Sequence, residues 1–329
     1  MPQPTHGIQP PLTFLPPALN LKVVWVLQRL LPAIVRVRSP IVEITAHNVE
    51  ALVELYRQFQ AGEARFMVAF RHPSADDPLC LAHLLSRSVP QAARQQGVKL
   101  RSPIHAHFLY DRGIPLWAGK FMGWLYSRLG GTPIHRGKID LQGMRSAREL
   151  FVNGTLPIAA APEGATNGHT EIVSPLEPGL SQLAFWCVED LHKAGRSEAV
   201  LVVPLGIQYH YITPPWKALA HLLSQLEADA GLTSAAPNSS APNSSPVEGT
   251  NPTDLYPRLY RLGEHLLQVM EQYYTRFYHQ DLHQGTISPT ESSSDLAAFA
   301  TRLNTLLNAA LGVAEQYFNL QPKGSVIDR

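Results

Sequence analysis

Between residues 46 and 232 the apolar positions switch repeatedly between helical spacing and short continuous runs. Asn48 to Gln60 sets Val49, Leu52, Val53 and Tyr56 on one side of a helix. Phe66-Met67-Val68-Ala69-Phe70 is an unbroken apolar and aromatic run, the pattern of a buried strand. A helix from Pro78 to Gln96, interrupted near Pro90, comes next. Ile104 to Tyr110 reads as a strand, Trp117 to Leu129 as an amphipathic helix, and Thr132 to His135 as a short strand. The helix Leu141 to Val152, the strand Pro157 to Ala161, the helix Leu180 to Ala194 and the strand Ala199 to Tyr209 complete the series. Strands alternating with helices predict an α/β domain with a mixed, largely parallel sheet flanked by helices.

The flanks read differently. In Ala18 to Arg38, Lys22, Arg29 and Arg36 recur every seven residues, one stripe of a helix that is otherwise mostly apolar. Trp25 suits a lipid headgroup boundary, and Pro32 should kink or divide the helix. Residues 1–45 therefore read as an amphipathic membrane-association segment. A helix docked on the protein's own core is the competing reading. Ala236-Pro237-Asn238-Ser239-Ser240 repeats at once from Ala241 to Ser245, so residues 233–253 are expected to form a flexible linker. Asp254 to His279 carries Leu255, Leu259, Leu262, Leu266, Met270, Tyr273 and Phe277 on one side, a stripe that reads as core. With Leu296 to Phe318 it should form a C-terminal helical hairpin over 254–329, beyond an enzyme domain at 46–232.

Composition narrows the function. The 329 residues carry a net charge of +1, so no basic field invites nucleic acid. Cys80 and Cys187 are far apart in apolar helical stretches and read as buried free thiols. No metal-ligand spacing occurs, and no metal site is expected. Met1 to Pro17 lacks the cationic start of a signal peptide. No stretch reaches 18 uninterrupted apolar residues, so a simple spanning helix is not expected.

The chemistry gathers after the first strand. His72 stands five positions before Asp77, and Pro73-Ser74 turns the chain toward a helix opened by Asp77 and Pro78. A neutral imidazole there can take a proton from a hydroxyl, and the carboxylate can fix its tautomer. Spacing alone leaves His72 readable as a loop residue, and His135 to Asp140 repeats the spacing. Ser74 lacks a G-x-S-x-G elbow, and Asp76 reads as a helix-start residue.

Four ordered segments resemble the glycerolipid acyltransferase family, which includes the 1-acylglycerol-3-phosphate acyltransferases (PlsC-type). His72 to Asp77 resembles its His-x4-Asp motif, and Gly131-Thr132-Pro133-Ile134-His135-Arg136 its second motif. Ala161-Pro162-Glu163-Gly164-Ala165-Thr166 resembles the third, usually F-P-E-G-T-R, and Val202-Val203-Pro204-Leu205-Gly206 the fourth. The resemblance covers about residues 65 to 210. Two departures stand out: Arg71 replaces the usual Asn before the histidine, and Thr166 stands where the third motif carries Arg.

The resemblance implies an acyltransferase with His72 and Asp77 as catalytic pair. It implies Arg136, Glu163, Gly164 and His135 as substrate-binding residues, with Lys138 a weaker phosphate candidate and Arg71 a possible substitute cation. Glu163 can contact the acceptor hydroxyl or position an arginine. The expected activity moves a fatty acyl chain from acyl-CoA or acyl-carrier protein to a lysophospholipid in phospholipid biosynthesis. No cofactor is expected beyond the acyl donor as co-substrate, and the expected partners are a membrane lipid acceptor, the acyl donor and a membrane surface. The expected location is peripheral, at the cytoplasmic face. Another lipid alcohol or a glycolipid as acceptor, or an inactive lipid-binding member of the fold, are the alternatives.

Overall fold

The computed structural model describes residues 12–135, 140–232, 252–282 and 293–321. The expected linker falls almost wholly outside the described residues, as do Arg136 and Lys138. Two compact units divide the chain, Met1–Tyr209 and His210–Arg329.

In the first unit the elements run in chain order as follows. Helices α1 (Leu21–Arg38) and α2 (Val49–Ala61) precede strand β1 (Ala64–Phe70). Helix α3 (Asp77–His83), a π turn (Leu84–Ser88) and α4 (Val89–Gln95) lead to β2 (His107–Asp111). Helices α5 (Ile114–Ala118) and α6 (Lys120–Arg128) precede β3 (Gly131–Ile134), and α7 (Leu141–Asn153) precedes β4 (Ile158–Ala160). Helix α8 (Gly179–Lys193) leads to β5 (Ala199–Leu205). The sheet order is β3-β2-β4-β1-β5, and every pairing among the described residues is parallel, so the mixed element of the expectation drops out.

β1 is near the middle of the sheet and buried on both faces, which explains its unbroken apolar run. Its side chains alternate. Phe66, Val68 and Phe70 join Val53, Tyr56, Leu85 and Val89 from α2 to α4. Met67 points to the other face, with Phe151 of α7 and Leu183 and Cys187 of α8. Cys187 is a buried free thiol, and Cys80 is half-buried.

Several boundaries differ from the sequence reading, for local reasons. The break in the Pro78 to Gln96 helix is the π turn just before Pro90. Proline has no N–H for the carbonyl four residues earlier, and a wider turn absorbs the missing bond. The helix expected from Trp117 is two helices, α5 and α6, because Gly119 adopts φ +89 between them. α1 runs through Pro32 undivided. β5 ends at Leu205 rather than Tyr209, which leaves Tyr209 in a loop.

The second unit holds α9 (Trp216–Asp229), α10 (Pro252–Tyr278) and α11 (Ser293–Phe318). Buried Glu227 of α9 accepts from Arg258 and Arg261 of α10, and Arg302 of α11 pairs with Glu264 and Glu271 of α10. The stripe expected as core is not core. Leu262 is buried, but Leu259, Leu266, Met270, Tyr273 and Phe277 are exposed. The described α10 surface buries Leu262, Leu267 and Glu271 instead; Leu267 packs with Leu282 and Leu306, and Glu271 pairs with Arg302. Among the described residues, one helix segment, Leu296–Phe318, is long and apolar enough by length and composition to cross a membrane. It passes on average hydropathy, which the uninterrupted-run criterion had excluded.

Candidate active site

Three adjacent parallel strands, β4, β1 and β5, deliver side chains at their carboxyl ends, the usual place for ligands in such sheets. β1 runs into Arg71 and His72, β4 into Glu163, and β5 into the loop that carries Tyr209.

His72 and Asp77 meet. Nδ1 of His72 lies 2.8 Å from Oδ2 of Asp77. Asp77 is fully buried, while the His72 side chain keeps 23% exposure, so the imidazole is reachable and its partner is not. Oδ2 also accepts the main-chain N–H of Ser74 at 2.9 Å, and Oδ1 accepts the hydroxyl of Tyr209 at 2.6 Å. A carboxylate facing these donors requires a donor at Nδ1 as well. In the neutral imidazole this contact places the proton on Nδ1 and leaves the lone pair on Nε2. Asp76 accepts from the Ser39 hydroxyl at 2.9 Å, apart from the pair.

Glu163 sits beneath His72. Oε1 accepts the His72 main-chain N–H at 3.0 Å and Arg71 Nε at 3.0 Å. Oε2 accepts Asn167 Nδ2 at 2.7 Å and the Ser174 N–H at 2.9 Å. Burial opposes its ionisation, but the N–H groups of His72 and Ser174 and the Arg71 guanidinium outweigh it and hold the carboxyl below its ordinary value. Gly164, next in sequence, turns the chain at φ +70, where a Cβ would also meet the Glu177 carboxylate at 3.0 Å.

Arg71 completes the arrangement. Its remaining guanidinium nitrogens donate to the carbonyls of His169, Thr170 and Ile172. The guanidinium is thus spent on the 163–174 loop, whose Asn167 N–H returns a bond to the His72 carbonyl at 3.3 Å.

The second His-x4-Asp spacing does other work. Asp140 caps α7 through the Gly143 N–H at 3.0 Å, accepts the His135 main-chain N–H at 2.8 Å, and pairs with Arg112 at the end of β2. Burial opposes ionisation of Asp140 as well, and the two N–H groups with Arg112 override it and lower its pKa. Arg136, the expected phosphate ligand, lies outside the described residues.

Sequence reasoning missed Tyr209, Asn167 and the part of Arg71. Asn167 lies four residues past Glu163 and was within reach as a loop partner. Tyr209, 132 residues from Asp77, gave no local signal.

With this geometry in place, the comparisons with known proteins are clear-cut at the family level. The sequence model of the acyltransferase family matches residues 43–208. No curated protein and no solved structure gives a significant match.

Proposed function

Because the chain belongs to the acyltransferase family, that of the glycerolipid acyltransferases, we propose that it esterifies a lysophospholipid of the 1-acylglycerol-3-phosphate kind, with acyl-CoA or acyl-carrier protein as donor. The observation that carries this reading is the His72–Asp77 contact on a reachable imidazole. Nε2 takes the proton of the acceptor hydroxyl, and the oxygen attacks the thioester carbonyl. The tetrahedral intermediate collapses with loss of the C–S bond. The thiolate recovers the proton from the imidazolium, and the products are ester and free thiol. Asp77 stabilises the imidazolium without itself taking the proton. No protein nucleophile is needed.

A membrane surface supplies the acceptor in this reading. α1 docks on its own unit through buried Val24 and Leu31 and a Gln28 side-chain bond to the Ile104 carbonyl at 2.7 Å. Its Leu21, Trp25, Val26 and Leu30 nevertheless stay exposed, and so do Trp117, Phe121 and Trp124 of α5 and α6. Phe121 and Trp124 stack at 5.6 Å. An exposed aromatic and aliphatic set beside Lys22, Arg29 and Arg36 suits peripheral contact with anionic lipid.

A second acceptor class, an uncharged lipid alcohol or glycolipid, is favoured by one observation. Arg71, the substitute cation for the arginine missing at Thr166, is occupied by Glu163 and three carbonyls. Thiol release from acyl-CoA, measured with lysophosphatidic acid, a lysophospholipid and an uncharged lipid alcohol in parallel, decides between the two. Release with lysophosphatidic acid alone supports the first reading, release with the alcohol alone supports the second, and release with none removes both.

A further inference from the structure

Tyr209 lies outside the four motif segments, yet it makes a shorter contact to the buried carboxylate than His72 or Ser74 does, 2.6 Å to Asp77 Oδ1. We infer that Tyr209 is a positioning residue for the reaction, acting on His72 through Asp77; this rests on the reading of His72 as the base.

The argument is one of donors and geometry. Asp77 is fully buried and has two oxygens to satisfy. Oδ2 serves His72 and the Ser74 N–H, and Tyr209 supplies the donor to Oδ1. Without the hydroxyl, Oδ1 faces a dry interior, and the carboxylate is free to rotate toward other donors. Tyr209 therefore fixes the direction in which Oδ2 points and withdraws electron density from the carboxylate. Both effects bear on the imidazole, because a carboxylate with fewer donors is a stronger partner for the imidazolium. Burial first, and the Asp77 contact second, push the Tyr209 phenol well above its ordinary value, so it remains a donor throughout the working pH range. The other charged or titratable groups described around the pair are Asp76 just before α3, Cys80 on it, and Arg71 and Glu163 behind the His72 backbone. Cys80 Sγ, 3.5 Å from the Tyr209 oxygen, is pushed up chiefly by burial and stays a neutral thiol. Arg71 and Glu163 pair with each other. Among the described residues, Tyr209 is thus the one group besides His72 that bonds Asp77 through its side chain.

The test is the titration of His72 in the full chain, followed by imidazole NMR and assigned with His72→Gln. This readout needs no substrate, so it stands even if the acceptor reading fails. Tyr209→Phe should raise the His72 midpoint by about half a pH unit or more. It should lower kcat about tenfold, with the acid limb of the pH profile moving up and KM little changed. In an Asp77→Asn background the same substitution should leave the midpoint where it is, since the path runs through Asp77. Site-specific 3,5-difluorotyrosine at position 209, a stronger donor of nearly the same shape, should move the midpoint down, and it decides the matter if Tyr209→Phe does not fold. An unmoved midpoint in the folded variants, or an equal shift in the Asp77→Asn background, overturns the inference.

Discussion

Oε1 of Glu163 accepts two hydrogen bonds at 3.0 Å, one from the side chain of Arg71 and one from the backbone of His72. A single buried oxygen thus ties the side chain of Arg71 to the main chain of His72. The contact replaces a solvated turn carboxylate with a structural anchor. It gives Arg71 a fixed partner at the position before His72.

Glu163→Gln should therefore cost stability as well as rate. The amide brings donors against donors, and Arg71 loses its counter-charge. Urea unfolding should show a loss of about 2 kcal/mol or more. The pH dependence follows from the sign of the shift. Glu163 is lowered in the folded state, so its contribution is complete above the ordinary carboxylate pKa and fades as pH falls through the folded value. Acid unfolding below about pH 4.5 should be less steep in the variant than in the natural chain.

His72→Ala should abolish thioester consumption while circular dichroism and melting stay near normal. Asp77→Asn should cost less, though still orders of magnitude, and should also lower the melting temperature. Its amide cannot accept from the Ser74 N–H, Tyr209 and His72 together. His135→Ala is the control and should act mainly on KM. Near-normal turnover in folded His72→Ala would remove this residue as the base.

Arg71→Ala and Arg136→Ala should separate scaffold from headgroup. Arg71→Ala frees the 163–174 loop and should lower kcat equally on lysophosphatidic acid and on an uncharged lipid alcohol. Arg136→Ala should raise KM for the phosphate acceptor alone, by about 2 kcal/mol if the contact is bidentate and dry. Equal losses on both acceptors with Arg136→Ala would remove its phosphate role. Arginine at Thr166 should leave the phosphate acceptor's KM unchanged or lower it.

Membrane contact is best tested on the surface. Deleting residues 1–40 would also remove buried Val24 and Leu31 and the main-chain bonds from Ala18 and Asn20 to Ser127 and Arg128. Trp25→Ser with Phe121→Ser and Trp124→Ser spares that core. Co-sedimentation with vesicles containing anionic lipid should fall in this triple variant at unchanged melting temperature. Undiminished sedimentation would transfer the contact to another surface of the chain.

The sequence by itself determined the alternating α/β layout, the buried β1 and the turn holding His72 and Asp77. These rest on short-range causes. A strand covered on both faces must be continuously apolar, and Pro73-Ser74 with Pro78 sets a turn and a helix start within a few residues. The second His-x4-Asp spacing shows the limit of that legibility. Asp140 has the same offset as Asp77, yet it caps α7 and holds Arg112. Helix α10 shows the same limit, since its apolar stripe fits a core face, yet the side it buries carries Leu267 beside Leu306 and Glu271 beside Arg302. Only the tertiary structure decided the surroundings of the pair. Parallel strands are joined by long crossovers, so residues distant in the chain arrive together at their carboxyl ends. Glu163, 91 residues beyond His72, and Tyr209, 132 residues beyond Asp77, reach the pair in this way. No spacing rule encodes such a meeting, because it depends on the order of β4, β1 and β5 in the sheet and on the exit of each loop.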